Sequence, residues 1–294
     1  PPRSTLSSSS AASDVYKRQD MRCLICSEDN VKNFCEDSFL EVPVFHCNSC
    51  NVLFSGDSIE VMREKCKVVY ERKFWGDNNL WDAKKIIDNN YQDDDSNGKR
   101  RTWESQYAYC KEFLNNSKDI LEIGAGQGQA AYWFEEAGHK ITAIEPDASN
   151  SKLINEKLKN GKCIEASAEK FLINEKFDIV WVSHVLEHMI EPEKFLKNIQ
   201  KCMKNEGILF IEVPNCENKV VLRTSIEKVP HTFHFSMKSL LGILERNGFV
   251  VKKNDYLKPA AKIIGIQNKL SKKTHPYYPR IVSNSDDGKY FRII

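Results

Sequence analysis

A glycine-rich turn between an apolar run and a helical segment constrains the fold of this chain more than any other part of its sequence. The apolar run 119–123 leads directly into Gly124, Gly126 and Gly128, which are separated by single residues. Glycine tolerates left-handed backbone angles and lets the main chain come close to a ligand that any side chain would block. A loop of this kind between a strand and a helix predicts a βαβ unit with a ligand at the glycines.

An acidic residue stands at the end of the next apolar run, 140–145. This residue, Glu145, follows the first glycine by about twenty positions, where a carboxylate can accept hydrogen bonds from both hydroxyls of a ribose. Pro146 comes directly after it. A dinucleotide-binding fold needs its third glycine at position 129, where this chain has Gln129. An acidic residue at the end of the first strand, Glu122, is also not typical of a nicotinamide-binding site. The pattern therefore disfavours a nicotinamide oxidoreductase.

Short apolar runs alternate from residue 118 onward with amphipathic stretches. This alternation predicts an α/β domain with a doubly wound, Rossmann-like parallel sheet. The predicted strands are 119–123, 140–145, 162–165, 177–183, 207–213 and a late strand at 249–256. The predicted helices are 129–137, 149–160, 193–204 and 237–246.

Three segments together resemble the class I S-adenosylmethionine (SAM)-dependent methyltransferase family. They are the glycine loop from Glu122 to Gly128, Ile-Glu-Pro-Asp at 144–147, and Phe-Asp-Ile-Val-Trp-Val-Ser-His-Val-Leu-Glu-His at 177–188. The resemblance covers about 118–256 and implies an enzyme, whose SAM-binding domain we place at 118–257. It implies that SAM contacts the following residues: Glu122, Gly124, Ala125, Gly126, Gly128, Glu145, Pro146, Ser167, Ala168, Ser183 and His184.

The resemblance also assigns some of these residues to particular parts of SAM. Glu122 is expected to contact the cationic aminoacyl end, and Ser183 and His184 are expected beside the methyl-bearing sulfur. The loop around Ser167 and Ala168 is expected to border the adenine. Many relatives have Asp where Ser167 stands, so the backbone N–H of Ala168 is the group that can serve the adenine here.

Four cysteines form two CxxC pairs, Cys23 with Cys26 and Cys47 with Cys50. This is the spacing of a zinc ribbon, in which each turn presents two thiolates and the pairs complete a tetrahedron. We place the ribbon at 21–56 and expect a structural zinc ion, because four thiolates leave no open coordination position. So short a segment also has too little core to fold without metal. His46 is an alternative ligand, although it breaks the symmetry of the two pairs.

The remaining segments complete the predicted domain organisation. Residues 1–20 are interpreted as a non-native or disordered leader, and 57–117 as a helical connector or lid with an Asp-rich break at 92–98. Residues 258–294 form a C-terminal extension whose last residues fit a closing edge strand. A zinc ribbon ahead of a class I domain resembles bacterial sugar C-methyltransferases and other small-metabolite methyltransferases. The sugar enzymes usually carry a further C-terminal domain, so the sugar assignment follows from part of the architecture.

Five polar residues are candidates for removing a proton from the methyl acceptor or for orienting it. His184, Glu187 and His188 follow the fourth strand, and parallel strands place their C-terminal ends at the ligand crevice. His231 and His234 lie in a predicted loop after the fifth strand, which the resemblance places over the acceptor. We assign the catalytic role to His231, His234 or His184, since histidine titrates near neutrality.

Each of these candidates has a structural alternative. Glu187 and His188 can serve as polar residues at a helix start. The two histidines at 231 and 234 can cap the following helix, although we predict Ser236 as its N-cap.

The charge composition bears on the partner. The chain has 43 basic and 41 acidic residues, a formal net charge of +2, so no field of one sign attracts nucleic acid or an anionic membrane. Residues 21–56 contain only Arg22 and Lys32 as basic residues, which disfavours a ribbon that binds nucleic acid. No apolar run approaches the roughly 18–20 residues of a membrane span, which predicts a cytoplasmic protein.

We therefore expect a small-molecule acceptor that is methylated at carbon or oxygen, with a sugar or nucleotide-sugar as one candidate. Two alternatives stay open. One is a methyltransferase-like module that binds a protein or RNA partner through the ribbon. The other is an RNA or protein methyltransferase that uses the ribbon to select its substrate.

Overall fold

The computed structural model describes residues 21–56, 58–71, 99–257 and 290–294. Three predicted segments lie outside the described residues: the leader at 1–20, the Asp-rich break at 92–98, and most of the C-terminal extension, 258–289.

The described chain contains both strands and helices. In chain order the strands are β1 (Val31–Cys35), β2 (Val44–Cys47), β3 (Leu53–Ser55), β4 (Asp119–Ile123), β5 (Lys140–Glu145), β6 (Lys162–Glu165), β7 (Phe177–Ser183), β8 (Met203–Pro214), β9 (Phe233–His234), β10 (Asn254–Leu257) and β11 (Tyr290–Ile293). The helices are α1 (Ile59–Glu71), α2 (Lys99–Tyr109), α3 (Gln129–Glu136), α4 (Ala148–Lys157), α5 (Pro192–Cys202), α6 (Lys219–Glu227) and α7 (Met237–Arg246).

The larger of the two sheets has seven strands in the order β6-β5-β4-β7-β8-β11-β10. The pairs from β6 to β8 are parallel, and β11 is antiparallel to both of its neighbours. Alternate residues of β7 enter two different apolar cores: Val180 and Val182 pack with α5 and α7, while Ile179 and Trp181 pack with α3 and α4. Helices therefore cover both faces of the sheet, which confirms the predicted doubly wound α/β fold.

The sequence predicts the bounds of β4, β5, β6 and β7 correctly. In β4, β5 and β7 the reason is that parallel strands buried on both faces form continuous apolar runs. β8 begins at Met203 and not at the predicted residue 207. The prediction missed the start of this strand because the residues that follow Met203 are polar and exposed. The late strand predicted at 249–256 is shorter and begins at Asn254. The preceding Lys252 and Lys253 donate their backbone N–H groups to the carbonyl of Ile294, at 2.7 and 3.2 Å.

The strand predicted near the C-terminus is present, but it does not lie at an edge. β11 lies between β8 and β10, with Arg292 opposite Glu212 on one side and Asp255 on the other. The prediction of an edge strand is therefore wrong. The position of a strand in a sheet depends on its partners across the sheet, and the local sequence pattern carries no information about a partner some 80 residues away.

The smaller sheet joins the N-terminal cysteine module to the large domain. β1, β2 and β3 form an antiparallel sheet that β9 extends, with Leu53 opposite His234 and Phe54 opposite Phe233. The buried side chains of Ile25 and Phe54 also belong to the same apolar core as α5 and α7. The segment predicted as a loop after the fifth strand thus contains a short strand, and the module shares both its sheet and its core with the large domain.

Helices α1 and α2 lie in the predicted connector. α2 packs on α3 through Trp103, whose ring centroid is 5.7 Å from that of Trp133 and 5.5 Å from that of Phe134. None of the helices in the described ranges is both long and apolar enough to cross a membrane.

Candidate active site

The glycine loop after β4 adopts the backbone conformation that the sequence predicts. Gly124, Gly126 and Gly128 have φ angles of 73°, 57° and 77°, in the left-handed region that favours glycine. A Cβ atom added to Gly124 would lie 2.5 Å from Cγ2 of Val185, so a side chain there would collide with the segment that follows β7. A Cβ atom added to Gly126 would meet no atom within 4 Å. The loop therefore has open space at its middle glycine, where a ligand can approach the backbone.

Glu145 at the end of β5 holds this loop in place. Its Oε2 accepts a hydrogen bond from the backbone N–H of Gly126 at 2.7 Å, and its Oε1 accepts one from Asp147 at 3.0 Å. Each oxygen keeps a further lone pair for a ligand. Burial raises the pKa of Glu145 to about 7. Pro146, which lies between Glu145 and Asp147 in the sequence, is exposed.

Glu122 in β4 is buried with one carboxylate oxygen unsatisfied. Its Oε2 has no hydrogen-bond partner among the described residues, and burial raises the pKa of its carboxyl to about 8. A buried polar atom without a partner is costly, so such a group indicates a missing ligand. A cationic ammonium group is the partner that a carboxylate favours most. The residues of this crevice therefore fit SAM, whose aminoacyl end carries that group.

The other predicted cofactor contacts lie at the ends of neighbouring strands. The loop after β6 bonds to β5 through the backbone N–H of Ala166 and the carbonyl of Glu145, at 3.1 Å. This bond brings the exposed Ser167 and the buried Ala168 to the same edge of the sheet as Glu145. Ser183 ends β7, and its Oγ accepts a hydrogen bond from Nε2 of Gln106 at 3.0 Å.

His184 lies between two buried carboxylates directly after β7. Its Nδ1 is 3.4 Å from Oε1 of Glu187, and its Nε2 is 3.4 Å from Oε1 of Glu212. Burial alone would lower the pKa of His184, but the two carboxylates raise it to about 10. The backbone φ of His184 is 58°, and its side chain is 39% exposed. The two carboxylates therefore favour the cationic form of His184.

Glu212, Arg292 and Gln106 complete this network, and the sequence interpretation did not include them. The carboxylate of Glu212 forms an ion pair with Nε of Arg292 and accepts a hydrogen bond from Nε2 of Gln106 at 2.8 Å. Burial alone would raise the pKa of Glu212, but Arg292 and His184 hold it well below its usual range. A single charged residue inside an otherwise apolar run, 207–214 for Glu212 and 290–293 for Arg292, is the signal that could have identified both residues.

His231 and His234 share one hydroxyl group. Their Nδ1 atoms lie 2.6 and 2.7 Å from Oγ of Ser225, and Nε2 of His234 lies 3.4 Å from Oγ of Ser55. Burial lowers the pKa of both histidines to about 3, so both rings are neutral near pH 7. The ring of His234 is fully buried and both its nitrogens face hydroxyl groups, whereas His231 directs its Nε2 toward Oε1 of Glu187 at 4.0 Å.

The predicted cap of the following helix is confirmed. Oγ of Ser236 accepts a hydrogen bond from the backbone N–H of Ser239, and the side chain of Ser239 in turn bonds the backbone of Ser236. This capping box provides hydrogen-bond partners for backbone N–H groups at the start of α7. The histidines at 231 and 234 are therefore not needed as caps.

The four cysteines of the CxxC pairs come together as predicted. Sγ of Cys23 is 3.7 Å from Sγ of Cys50, and Sγ of Cys26 is 3.5 Å from Sγ of Cys47. A tetrahedron with Zn–S bonds of about 2.3 Å places its sulfur atoms about 3.8 Å apart, so the four residues fit a zinc ion that they would hold as a closed site. His46 is not in the cluster, because its Nε2 bonds Oδ1 of Asn51 at 2.8 Å.

The two CxxC turns have matching backbone geometry. Ser27 and Asn51, one residue after each pair, have left-handed φ angles of 62° and 63°. Their backbone N–H groups donate to the carbonyls of Cys23 and Cys47 at 2.9 and 2.8 Å. Each turn thereby closes on itself and presents its two sulfur atoms on one side.

Comparison with known proteins places this geometry in a family. The methyltransferase domain family matches residues 96–254. A ubiquinone biosynthesis O-methyltransferase of Rhodopseudomonas palustris (strain BisB5) is 30% identical over 122 residues, which are 37% of this chain and 47% of that protein. An (S)-coclaurine N-methyltransferase of Papaver somniferum is 27% identical over 106 residues, which are 34% of this chain and 30% of that protein. The chain thus spans less than half the length of these relatives.

Among solved structures, a SAM-dependent methyltransferase from Archaeoglobus fulgidus has 19% identity and a TM-score of 0.49, covering 66% of this chain and 92% of that chain. The doubly wound sheet of the present chain, with its glycine loop and two buried carboxylates, defines a class I SAM-dependent methyltransferase domain. The chain belongs to the methyltransferase domain family, through a match that covers more than half of it.

Proposed function

We propose that the protein is an enzyme that transfers the methyl group of SAM to a carbon or oxygen atom of a small-molecule acceptor. One observation carries this proposal: the glycine loop has open space at Gly126, whose N–H is bonded to the buried Glu145, and the strand that leads into the loop contains the buried Glu122. Glu122 offers an unpartnered oxygen to a cation, and Glu145 offers its remaining lone pairs to a diol. A nucleoside with a cationic amino-acid end, such as SAM, has both the cation and the ribose diol.

The family relatives support a small acceptor. Their names describe enzymes of ubiquinone biosynthesis and of coclaurine methylation, whose products are small organic molecules. Within the small-molecule class we keep the sugar or nucleotide-sugar as the particular candidate, because the ribbon ahead of the class I domain supports it. The four-cysteine cluster is proposed to hold a structural zinc ion.

The residues around the crevice have separate roles in this proposal. SAM supplies an electrophilic methyl group, and the chain must align an acceptor atom behind it. The cationic ring of His184 directs both of its N–H groups at the carboxylates of Glu187 and Glu212, so its proposed role is to hold these two side chains beside the crevice. The neutral ring of His231, whose Nε2 is directed at the same oxygen of Glu187, is assigned the role of orienting the acceptor. His234 has a structural role, because its ring is buried between the ribbon sheet and Ser225.

Replacement of Glu145 by Ala should weaken the binding of SAM by about 1–3 kcal/mol, since a charge-assisted hydrogen bond to the ribose is lost. Isothermal titration calorimetry with SAM measures this change. Glu156→Ala, on the exposed surface of α4, is the matched control and should bind SAM like the wild type. Unchanged affinity in Glu145→Ala, or tighter binding of NAD than of SAM by the wild type, would refute the cofactor assignment.

Replacement of His231 by Ala should lower kcat about 10²-fold while SAM still binds, because a misplaced acceptor loses alignment with the methyl group. The assay follows transfer of a labelled methyl group from SAM to a panel of sugar nucleotides and phenols. His46→Ala, in the ribbon and outside the metal cluster, serves as the control. Wild-type turnover by both His231→Ala and His184→Ala would show that neither histidine acts on the acceptor.

A further inference from the structure

A second group of metal-ligating side chains lies beside the crevice, apart from the four cysteines. Glu187, His188 and His231 each direct one ligand-type atom into the group, and these atoms all lie within 4.8 Å of one another. We propose that these three residues bind one divalent transition-metal ion. The proposal rests on the proposed function only for the position of this ion, which is on the acceptor side of the crevice.

The buried carboxylate of Glu187 is the first feature that indicates a metal ion. Glu187 belongs to the short turn Leu186–His188 that follows β7, and its side chain is 1% exposed. Neither of its oxygens has a hydrogen-bond partner among the described residues. A carboxylate taken out of water costs several kcal/mol unless it is paired or binds a metal. The ring of His184 forms an ion pair with Oε1 of Glu187 at 3.4 Å, and His231 lies 4.0 Å from the same oxygen, so Oε2 is the atom that needs a ligand.

The hydrogen bonds of His188 and His231 are the second feature that indicates a metal ion. Nδ1 of His188 lies 3.2 Å from the carbonyl oxygen of Pro230. A carbonyl can only accept, so the proton of His188 is on Nδ1 and the lone pair is on Nε2. Nδ1 of His231 is bonded to Oγ of Ser225 at 2.6 Å, which leaves Nε2 directed at Glu187. Histidines that bind metals usually anchor the second ring nitrogen on a carbonyl or another polar group in this way.

The ligand atoms lie within 4.8 Å of one another, slightly farther apart than adjacent ligands of a bound metal ion. Bonds of about 2.0–2.2 Å from one ion to nitrogen and oxygen ligands separate those ligands by about 3–4 Å. Nε2 of His231 and Oε1 of Glu187 are separated by 4.0 Å, and the rings of His188 and His231 have centroids 4.6 Å apart in a T-shaped arrangement. Small side-chain rotations are sufficient to bring the three ligand atoms onto one ion.

The ligand set also indicates the class of metal. Two imidazoles and one carboxylate favour iron, cobalt, nickel or zinc in the divalent state over calcium and magnesium, which prefer oxygen ligands. Three protein ligands leave coordination positions that can take oxygen atoms of an acceptor. A metal ion here would therefore select an acceptor with a hydroxyl or carboxylate group beside the methylated atom.

Cobalt(II) is the probe for this site, because its absorption spectrum distinguishes the two metal sites. Cobalt bound by thiolates shows intense sulfur-to-metal charge-transfer bands, whereas cobalt bound by nitrogen and oxygen shows only weaker visible bands. Protein with zinc already in the ribbon should bind one cobalt ion per chain without the charge-transfer bands. Glu187→Gln and His188→Gln should each weaken this binding by more than the roughly 10–100-fold that loss of a supporting hydrogen bond costs.

Matched controls separate this result from misfolding and from the proposed function. His46→Ala should bind cobalt like the wild type, and the zinc content and circular dichroism spectrum of Glu187→Gln should equal those of the wild type. A wild type that binds no cobalt beyond the ribbon, or equal cobalt binding by the wild type and both Gln variants, would overturn the metal site. Failure of the wild type to bind SAM would overturn the proposed function and leave the metal result standing.

Discussion

Removal of the zinc proposed at the four cysteines is expected to unfold the ribbon and to release β9 with it. The binding of structural zinc contributes about 10–16 kcal/mol in small zinc modules, far more than so short a segment can gain from its own core. β3 pairs with β9, and the backbone N–H of Ser55 donates to the carbonyl of Thr232 at 2.9 Å. Loss of the ribbon should therefore disturb the segment that carries His231.

Hydrogen exchange measured by mass spectrometry tests this prediction. Chelation should remove amide protection from residues 21–56 and from Phe233 and His234, while the affinity for SAM should stay largely unchanged because the glycine loop lies elsewhere. Cys47→Ser should behave like the chelated protein. Cys35→Ser, a cysteine of the same module outside the cluster, should retain full protection. Absence of zinc from freshly purified, reduced protein would contradict the assignment.

Replacement of Arg292 by Met is expected to lower the free energy of unfolding by about 3–5 kcal/mol, because the buried charge of Glu212 would lose the closer of its two cations. Arg292 is 1% exposed and Glu212 is fully buried, and Nη1 of Arg292 also donates to the carbonyl of Ser105 at 3.1 Å. Urea-induced unfolding measures the loss. Arg223→Met breaks an exposed ion pair with Glu227 and should cost at most about 1 kcal/mol.

A double variant makes this prediction sharper. Arg292→Met combined with Glu212→Gln removes both charges, so it should recover much of the stability that Arg292→Met loses. The two proteins should also differ in their response to acid. The lowered pKa of Glu212 gives the wild type a contribution that is complete above about pH 4.3 and is lost as the pH falls further. The double variant should lack this contribution, and equal acid dependence of both proteins would contradict the role of Glu212.

The parts of the structure that could be predicted from the sequence are those that short segments determine. Strands buried on both faces give apolar runs, and the CxxC spacing gives the cysteine cluster. The alternate glycines after β4 require left-handed angles. All of these signals lie within a few residues of the structure that they determine.

The parts that could not be predicted depend on contacts between distant segments. Ser55 contacts His234 across 179 positions of the sequence, and Arg292 reaches Glu212 across 80. The sequence treats His231 and His234 alike, since both stand in one short aromatic segment. Only the position of β3 next to β9 shows that His234 is enclosed by the ribbon while His231 faces Glu187.

The insertion of β11 between β8 and β10 has a consequence for the order of folding. Of the strands from β4 to β8, three consecutive pairs, β4 with β5, β5 with β6 and β7 with β8, are neighbours in the sheet and are joined by short helical connections, so these pairs can form by local steps. β11 must close a loop of about 75 residues before it can pair with β8, and β10 has no neighbour other than β11 among the described strands. The sheet is therefore completed late, and until then Glu212 remains exposed to water and the half-formed sheet presents an open edge to other chains.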